Sequence, residues 1–82
     1  MAQPVLDVPI RDASIRLGQF LQLANLIDTG SDAKMAIAEG QVSVNDEVET
    51  RRGRQLHHGD TVRFGGRAAR VTAAEVIHRA PD

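Results

Sequence analysis

Arg51-Arg52-Gly53-Arg54 places three guanidinium groups on a short segment interrupted by a glycine. A guanidinium is a planar fork of donors that matches phosphate, so the chemistry on offer is anion recognition rather than bond making. The preceding stretch has the opposite sign. Residues 28–50 carry six acids (Asp28, Asp32, Glu39, Asp46, Glu47, Glu49) against Lys34, a net −5, whereas residues 51–70 carry six arginines against Asp60, a net +5. The formal net charge of −1 over 82 residues hides this asymmetry. It also excludes a protein whose whole surface condenses on nucleic acid. Charge runs commonly mark nothing more than a solvated face. Arg63, Arg67 and Arg70 fit that reading, or a pairing with the acids at 46–49, while the compact run of Arg51, Arg52 and Arg54 favours phosphate contact.

Other chemistries find little support. The chain has no cysteine, which excludes a disulfide framework, a thiol nucleophile and thiolate-bound zinc. His57 and His58 are adjacent, so in extended chain they point to opposite faces, and neither has a carboxylate at ligand spacing. Their expected role is to join the arginine loop and gain charge as pH falls toward about 6. Ser14, Ser31 and Ser43 lack a nearby His–acid partner, and no glycine-rich strand-to-helix phosphate loop is present. No catalytic constellation, metal site or cofactor is therefore expected. Aromatic residues are 2% of the chain, Phe20 and Phe64, both at positions that the hydrophobic pattern assigns to the core. Without a stacking platform, recognition of RNA should proceed by shape and phosphate.

Positioning these residues requires a small scaffold. A chain this short buries only roughly 60–65% of its unfolded surface and forms one core. Pro4 and Pro9 restrict residues 1–13 to an arm or edge strand, with Leu6, Val8 and Ile10 on one side. Ile15-Arg16-Leu17 reads as extended, followed by a helix over residues 19–27 with Gly18 as N-cap and Phe20, Leu21, Ala24 and Ile27 as its buried stripe. Thr29 or Ser31 caps a second helix, which buries Ala33, Ala36 and Ile37, turns Lys34 outward, and ends near Glu39 with Gly40 in the left-handed conformation. The period then changes to two. Val42 and Val44 form a strand entering the turn Asn45-Asp46, Val48 resumes the pattern, and Leu56 re-enters the core. Val62 and Phe64 point inward on a further strand, Gly65-Gly66 makes a hairpin, and Ala69 and Val71 point inward on the return. A short helical turn and a frayed end are expected over the last ten residues, from Ala73.

This order of elements resembles the S-four RNA-binding domain, also called the αL motif. The resemblance spans residues 15–64 and rests on Arg16-Leu17, Phe20-Leu21, Ser31-x-Ala33-Lys34, Ile37-x-x-Gly40-x-Val42-x-Val44-Asn45 and His58-Gly59-Asp60. The stretch from Ala36 to Val42, followed by Val48-Glu-Thr-Arg-Arg52, is similar to the small stand-alone bacterial members. The resemblance implies an α+β fold: two packed helices against a small, mainly antiparallel sheet of three to five short strands. It implies an RNA face built from the start of the first helix, the second helix with its preceding loop, and the turn after it. Matched position by position, that face holds Arg16, Lys34, Ser43 and Asn45, to which charge adds Arg51, Arg52 and Arg54. Where the family commonly carries an arginine in the loop opening the second helix this chain has Gly30, and where it carries an acid after the Arg-Leu pair this chain has Gly18.

The expected organisation is an N-terminal arm at 1–14, an RNA-binding domain at 15–72 and a tail at 73–82. The expected function is non-catalytic docking on structured RNA, ribosomal or transfer, possible also on a ribosomal particle, by a monomer in the cytoplasm. The absence of a basic leader and of any long apolar run supports that location. One alternative is a protein-interaction adaptor in ribosome assembly, its acidic stretch meeting a basic partner. Another is a β-grasp carrier, suggested by Val42 to Val48 and Leu56-x-x-Gly-Asp-x-Val62. Carriers act through a free C-terminal Gly-Gly, however, and here Gly65-Gly66 lies mid-chain.

Overall fold

Leu17 and Gly18 need partners for the first backbone N–H groups of a helix, and they find them far away in the sequence. In the computed structural model, which describes residues 4–73, Leu17 donates to the Arg54 carbonyl at 2.9 Å and Gly18 to the Arg52 carbonyl at 3.0 Å. The helix α1 (Leu17–Leu23) therefore begins before the expected Gly18 cap, with Arg16 as an N-cap that makes no side-chain hydrogen bond. It also ends earlier than Ile27. Asn25 adopts a left-handed φ of 59°, and Asn25 and Leu26 return their N–H groups to the carbonyls of Gln22 and Leu21 in a Schellman closure. Leu26 and Ile27 remain buried just beyond it, so the expected stripe of Phe20, Leu21, Ala24 and Ile27 faces the core.

Helix α2 (Gly30–Ala38) is capped by Thr29, not Ser31: the Thr29 hydroxyl accepts the Asp32 N–H at 3.1 Å. Asp32 in the first turn complements the helix dipole. Ala33, Ala36 and Ile37 are buried against the rest of the core, and Gly40 at φ 76° closes the helix. Small residues on this face let the two helices approach closely.

Among the described residues seven strands accompany the helices: β1 (Val5–Ile10), β2 (Ser14–Arg16), β3 (Val42–Val44), β4 (Glu47–Val48), β5 (Gln55–His57), β6 (Thr61–Phe64) and β7 (Arg67–Ala73). Five of them form one sheet in the order β1-β7-β6-β3-β4, antiparallel except for the parallel β1–β7 pair. The separate β2–β5 pair aligns Arg16 with Gln55 and Ile15 with Leu56, a pairing that the sequence pattern did not suggest. Asn45 and Asp46 at φ 52° and 71° make the tight turn between β3 and β4, the conformation required of a two-residue hairpin.

The helices cover one sheet face, where Val42, Val44, Val62, Ala69 and Val71 join Phe20, Leu21 and Leu56 in the core. Full burial of each large side chain contributes roughly 1.5–3 kcal/mol. Three positions differ from expectation. Leu6 is 59% exposed although Val8 and Ile10 of the same edge strand are buried, and Val48 is 64% exposed because its register with Ser43 puts it on the sheet face opposite the buried Val42 and Val44. Phe64, near the end of its hairpin, is only partly buried, packed against the core rather than within it. Among the described residues no helix is long and apolar enough to cross a membrane. The helical turn expected from Ala73 does not begin there, since Ala73 is the last residue of β7, and the rest of that segment lies outside the described residues.

Candidate nucleic-acid interface

Loop 51–54 is folded around an acid. The Glu49 carboxylate accepts from the Arg51 backbone N–H at 2.9 Å, from Arg51 Nε and Nη2 at 3.0 Å each, and from Arg54 Nη1 at 3.0 Å. The Arg51 side chain, then its backbone N–H, hold the Glu49 carboxyl down at about 2 instead of the ordinary 4.5, outweighing the opposing effect of burial. In return, the carboxylate raises the Arg51 pKa. The Arg54 N–H closes the turn on the Arg51 carbonyl at 3.2 Å. The carbonyls of Arg52 and Arg54 then point at the start of α1, as described above.

This geometry brings three cations to one shallow groove of about 270 Å³. Arg16 enters from the end of β2, Lys34 from α2 and Arg52 from the loop. All three are exposed, and among the described residues none pairs with an acid. Gly18, Gly30 and Gly53 line the same groove and contribute backbone without side chains. Gly30 begins α2, whose N-terminal partial positive charge adds to the field. Gln19 and Gln22 supply neutral donors along α1. Sequence reading missed both. Their signal was the spacing Arg16, Gln19, Gln22, one residue every three on the face opposite Phe20 and Leu21.

A model of the S4 domain family matches residues 8–72. The chain belongs to the S4 domain family. It is 47% identical over 66 residues to RlbA of Bacillus subtilis (strain 168), a protein named for ribosome maturation, across 80% of this chain and 89% of RlbA. It is 42% identical over 59 residues to YbcJ of Escherichia coli (strain K12), named as an RNA-binding protein, across 72% and 84% of the two chains. The solution structure of YbcJ, which contains an αL motif involved in RNA binding, aligns with a TM-score of 0.66 at 34% identity over 89% of this chain and 94% of YbcJ. The 30S ribosomal protein S4e of Thermoplasma acidophilum shares the fold alone, with a TM-score of 0.57 at 20% identity over 73% of this chain and 32% of that one.

The remaining basic and polar candidates of this S4 domain lie outside the groove. Arg51 and Arg54 flank it with guanidiniums engaged by Glu49. Ser43 stands in β3 between Val48 and Arg63 in register, and the Asn45 amide is occupied, donating to Asp60 Oδ1 and accepting the Thr61 N–H, both at 3.0 Å. Arg63 pairs with Asp46 at 3.4 Å, which agrees with the expected pairing to the acidic run. Arg70 pairs instead with Asp7, and Arg67 donates to the Asn25 carbonyl. His58 Nδ1 accepts the Ala73 N–H at 3.0 Å, which ties it to the end of β7. On another side of α2, Asp28, Asp32 and Glu39 line a second groove of about 440 Å³ with Met35 and Phe64. Arg67 lines this groove as well, so three acids face one cation there, against three cations in the first groove.

Proposed function

We propose that this protein binds structured RNA, ribosomal or transfer, without catalysis, by seating phosphates in the groove of Arg16, Lys34 and Arg52. The observation that carries this reading is the convergence of three unpaired cations over a glycine floor at the start of α2. Arg51 adds a flanking contact. The names of RlbA and YbcJ support RNA as the ligand, and RlbA supports a ribosomal partner. The full burial of Phe20 and the packing of Phe64 against the core leave phosphate and shape as the means of recognition. Residues 15–72 form the binding unit, acting as a monomer in the cytoplasm.

Because Glu49 neutralises one of the two arginines it holds, the local electrostatics correspond to about three or four phosphates rather than one per basic residue. Titration of the chain with transfer RNA and with a structured ribosomal RNA fragment across salt tests the reading. The expected slope of log affinity on log salt is about −3, and the triple variant Arg16→Gln, Lys34→Gln, Arg52→Gln should lose most of it. Affinity independent of salt would sink the proposal.

A second reading, the protein-interaction adaptor, draws on the acidic groove, where Met35 is 57% exposed among three acids without a cationic partner among the described residues. That groove is separate from the one lined by Arg16, Lys34 and Arg52, so the two readings are compatible. Asp32→Lys with Glu39→Lys should leave RNA affinity intact or raise it, and should abolish capture of a basic ribosomal protein if the adaptor role holds.

A further inference from the structure

Glu49 is the only polar or charged residue buried among the described residues, at 6% exposure, although the charge count places it in a solvated acidic run. Burying a carboxylate is costly unless its lone pairs are filled, and here four donors fill them. An acid beneath a phosphate-binding loop also lowers the positive potential, so on net charge alone it opposes RNA. Its contacts give a reason for its presence. The carboxylate ties Arg51 to Arg54 across the loop, while the Glu49 N–H donates to the Val42 carbonyl at 3.0 Å and anchors the arrangement to the central sheet. The loop so shaped presents the carbonyls of Arg52 and Arg54 to Gly18 and Leu17, immediately after Arg16. Two of the three groove cations therefore take their backbone placement from segments that this acid holds together.

We propose that Glu49 is a positioning residue for RNA binding, its carboxylate fixing loop 51–54 in the shape that presents Arg16 and Arg52 to phosphate. The inference rests on the RNA-binding reading above. It makes a prediction of unusual sign: removing a negative charge from the basic face weakens binding to a polyanion. A second variant separates geometry from charge, since Glu49→Asp keeps the charge but draws the carboxylate back by one methylene.

The test measures affinity for transfer RNA by fluorescence anisotropy across salt, together with amide hydrogen exchange, on the whole chain and on Glu49→Gln and Glu49→Asp. Both variants should bind about tenfold more weakly. Exchange should quicken at Leu17 and Gly18, while the Val71 N–H, bonded to the Asp60 carbonyl at 2.9 Å, keeps its protection. Tighter binding by Glu49→Gln, with a salt slope steeper by about one from the unmasked charge, would overturn the proposal in favour of net charge. Unchanged affinity and exchange in Glu49→Asp would overturn it as well. Loss of protection at Val71 would make Glu49 a support of the whole fold, which also overturns a specific positioning role. If the unsubstituted chain shows no salt-dependent RNA binding, the RNA-binding reading fails instead, and exchange at Leu17 and Gly18 still decides whether Glu49 holds the loop.

Discussion

The Gly18 N–H and the Arg52 carbonyl meet at 3.0 Å, joining the first turn of α1 to the arginine loop. A Cβ placed on Gly18 would sit 3.7 Å from both Cβ and the carbonyl oxygen of Arg52, ordinary contact rather than a clash. Gly18 is helical and needs no left-handed backbone. Gly18→Ala should therefore stabilise the protein by about 0.5 kcal/mol and raise its melting temperature by about 2–4 °C, as measured by calorimetry. A lower melting temperature would show that the loop packs more tightly on the helix than this geometry allows.

Acid sensitivity should report the Glu49 clamp. The folded carboxyl titrates at about 2 against 4.5 for the free group. The unfolded chain thus binds more protons through this interval, and the contribution is full above pH 4.5 and lost as pH falls toward about 2. Urea unfolding followed by circular dichroism over that window should show a steeper loss of stability for the unsubstituted chain than for Glu49→Gln. Parallel curves would mean that the carboxylate is not held as described.

Asn45 combines a φ of 52° with two side-chain hydrogen bonds to Asp60 and Thr61. Asn45→Ala loses both bonds and puts in the left-handed region a residue that tolerates it less well than Asn, so it should destabilise by about 2 kcal/mol, or about 10 °C in melting temperature. Asn45→Gly restores the backbone freedom and should cost less. Equal losses would assign the whole effect to the hydrogen bonds.

Two single substitutions separate the groove from the sheet arginines. Lys34→Gln should reduce the salt slope of RNA binding by about one. Arg70, half exposed and paired with Asp7 at 2.9 Å, should leave the slope unchanged on conversion to Gln and alter stability by no more than about 0.5 kcal/mol. Equivalent effects from the two would place the RNA across the sheet instead.

The features legible in the chain alone are those governed by near neighbours. Gly40 and the Asn45-Asp46 pair announce left-handed turns because steric access to positive φ belongs to the residue itself. Thr29 and Ser31 announce a cap without deciding between them, and the alternation of Val42, Val44, Ala69 and Val71 announces strands, because side-chain direction follows backbone period. The family pattern in these residues carried the fold class with it.

Other features depended on which segments meet. The early start of α1 is set by carbonyls of Arg52 and Arg54, remote in sequence, and no rule of capping at Gly18 could anticipate them. Val48 resumes the alternation of Val42 and Val44, yet the strand register pairs it with Ser43 on the opposite, exposed face of the sheet. Arg51 and Arg54 read as free for phosphate in the sequence; only the fold of the loop turned both onto Glu49 and buried its carboxylate. The sequence by itself determined turns, periodicity and the supply of basic residues, since these are local in origin. The tertiary structure decided which of those cations became a site, because the convergence of Arg16, Lys34 and Arg52 depends on packing between β2, α2 and a loop that are distant along the chain.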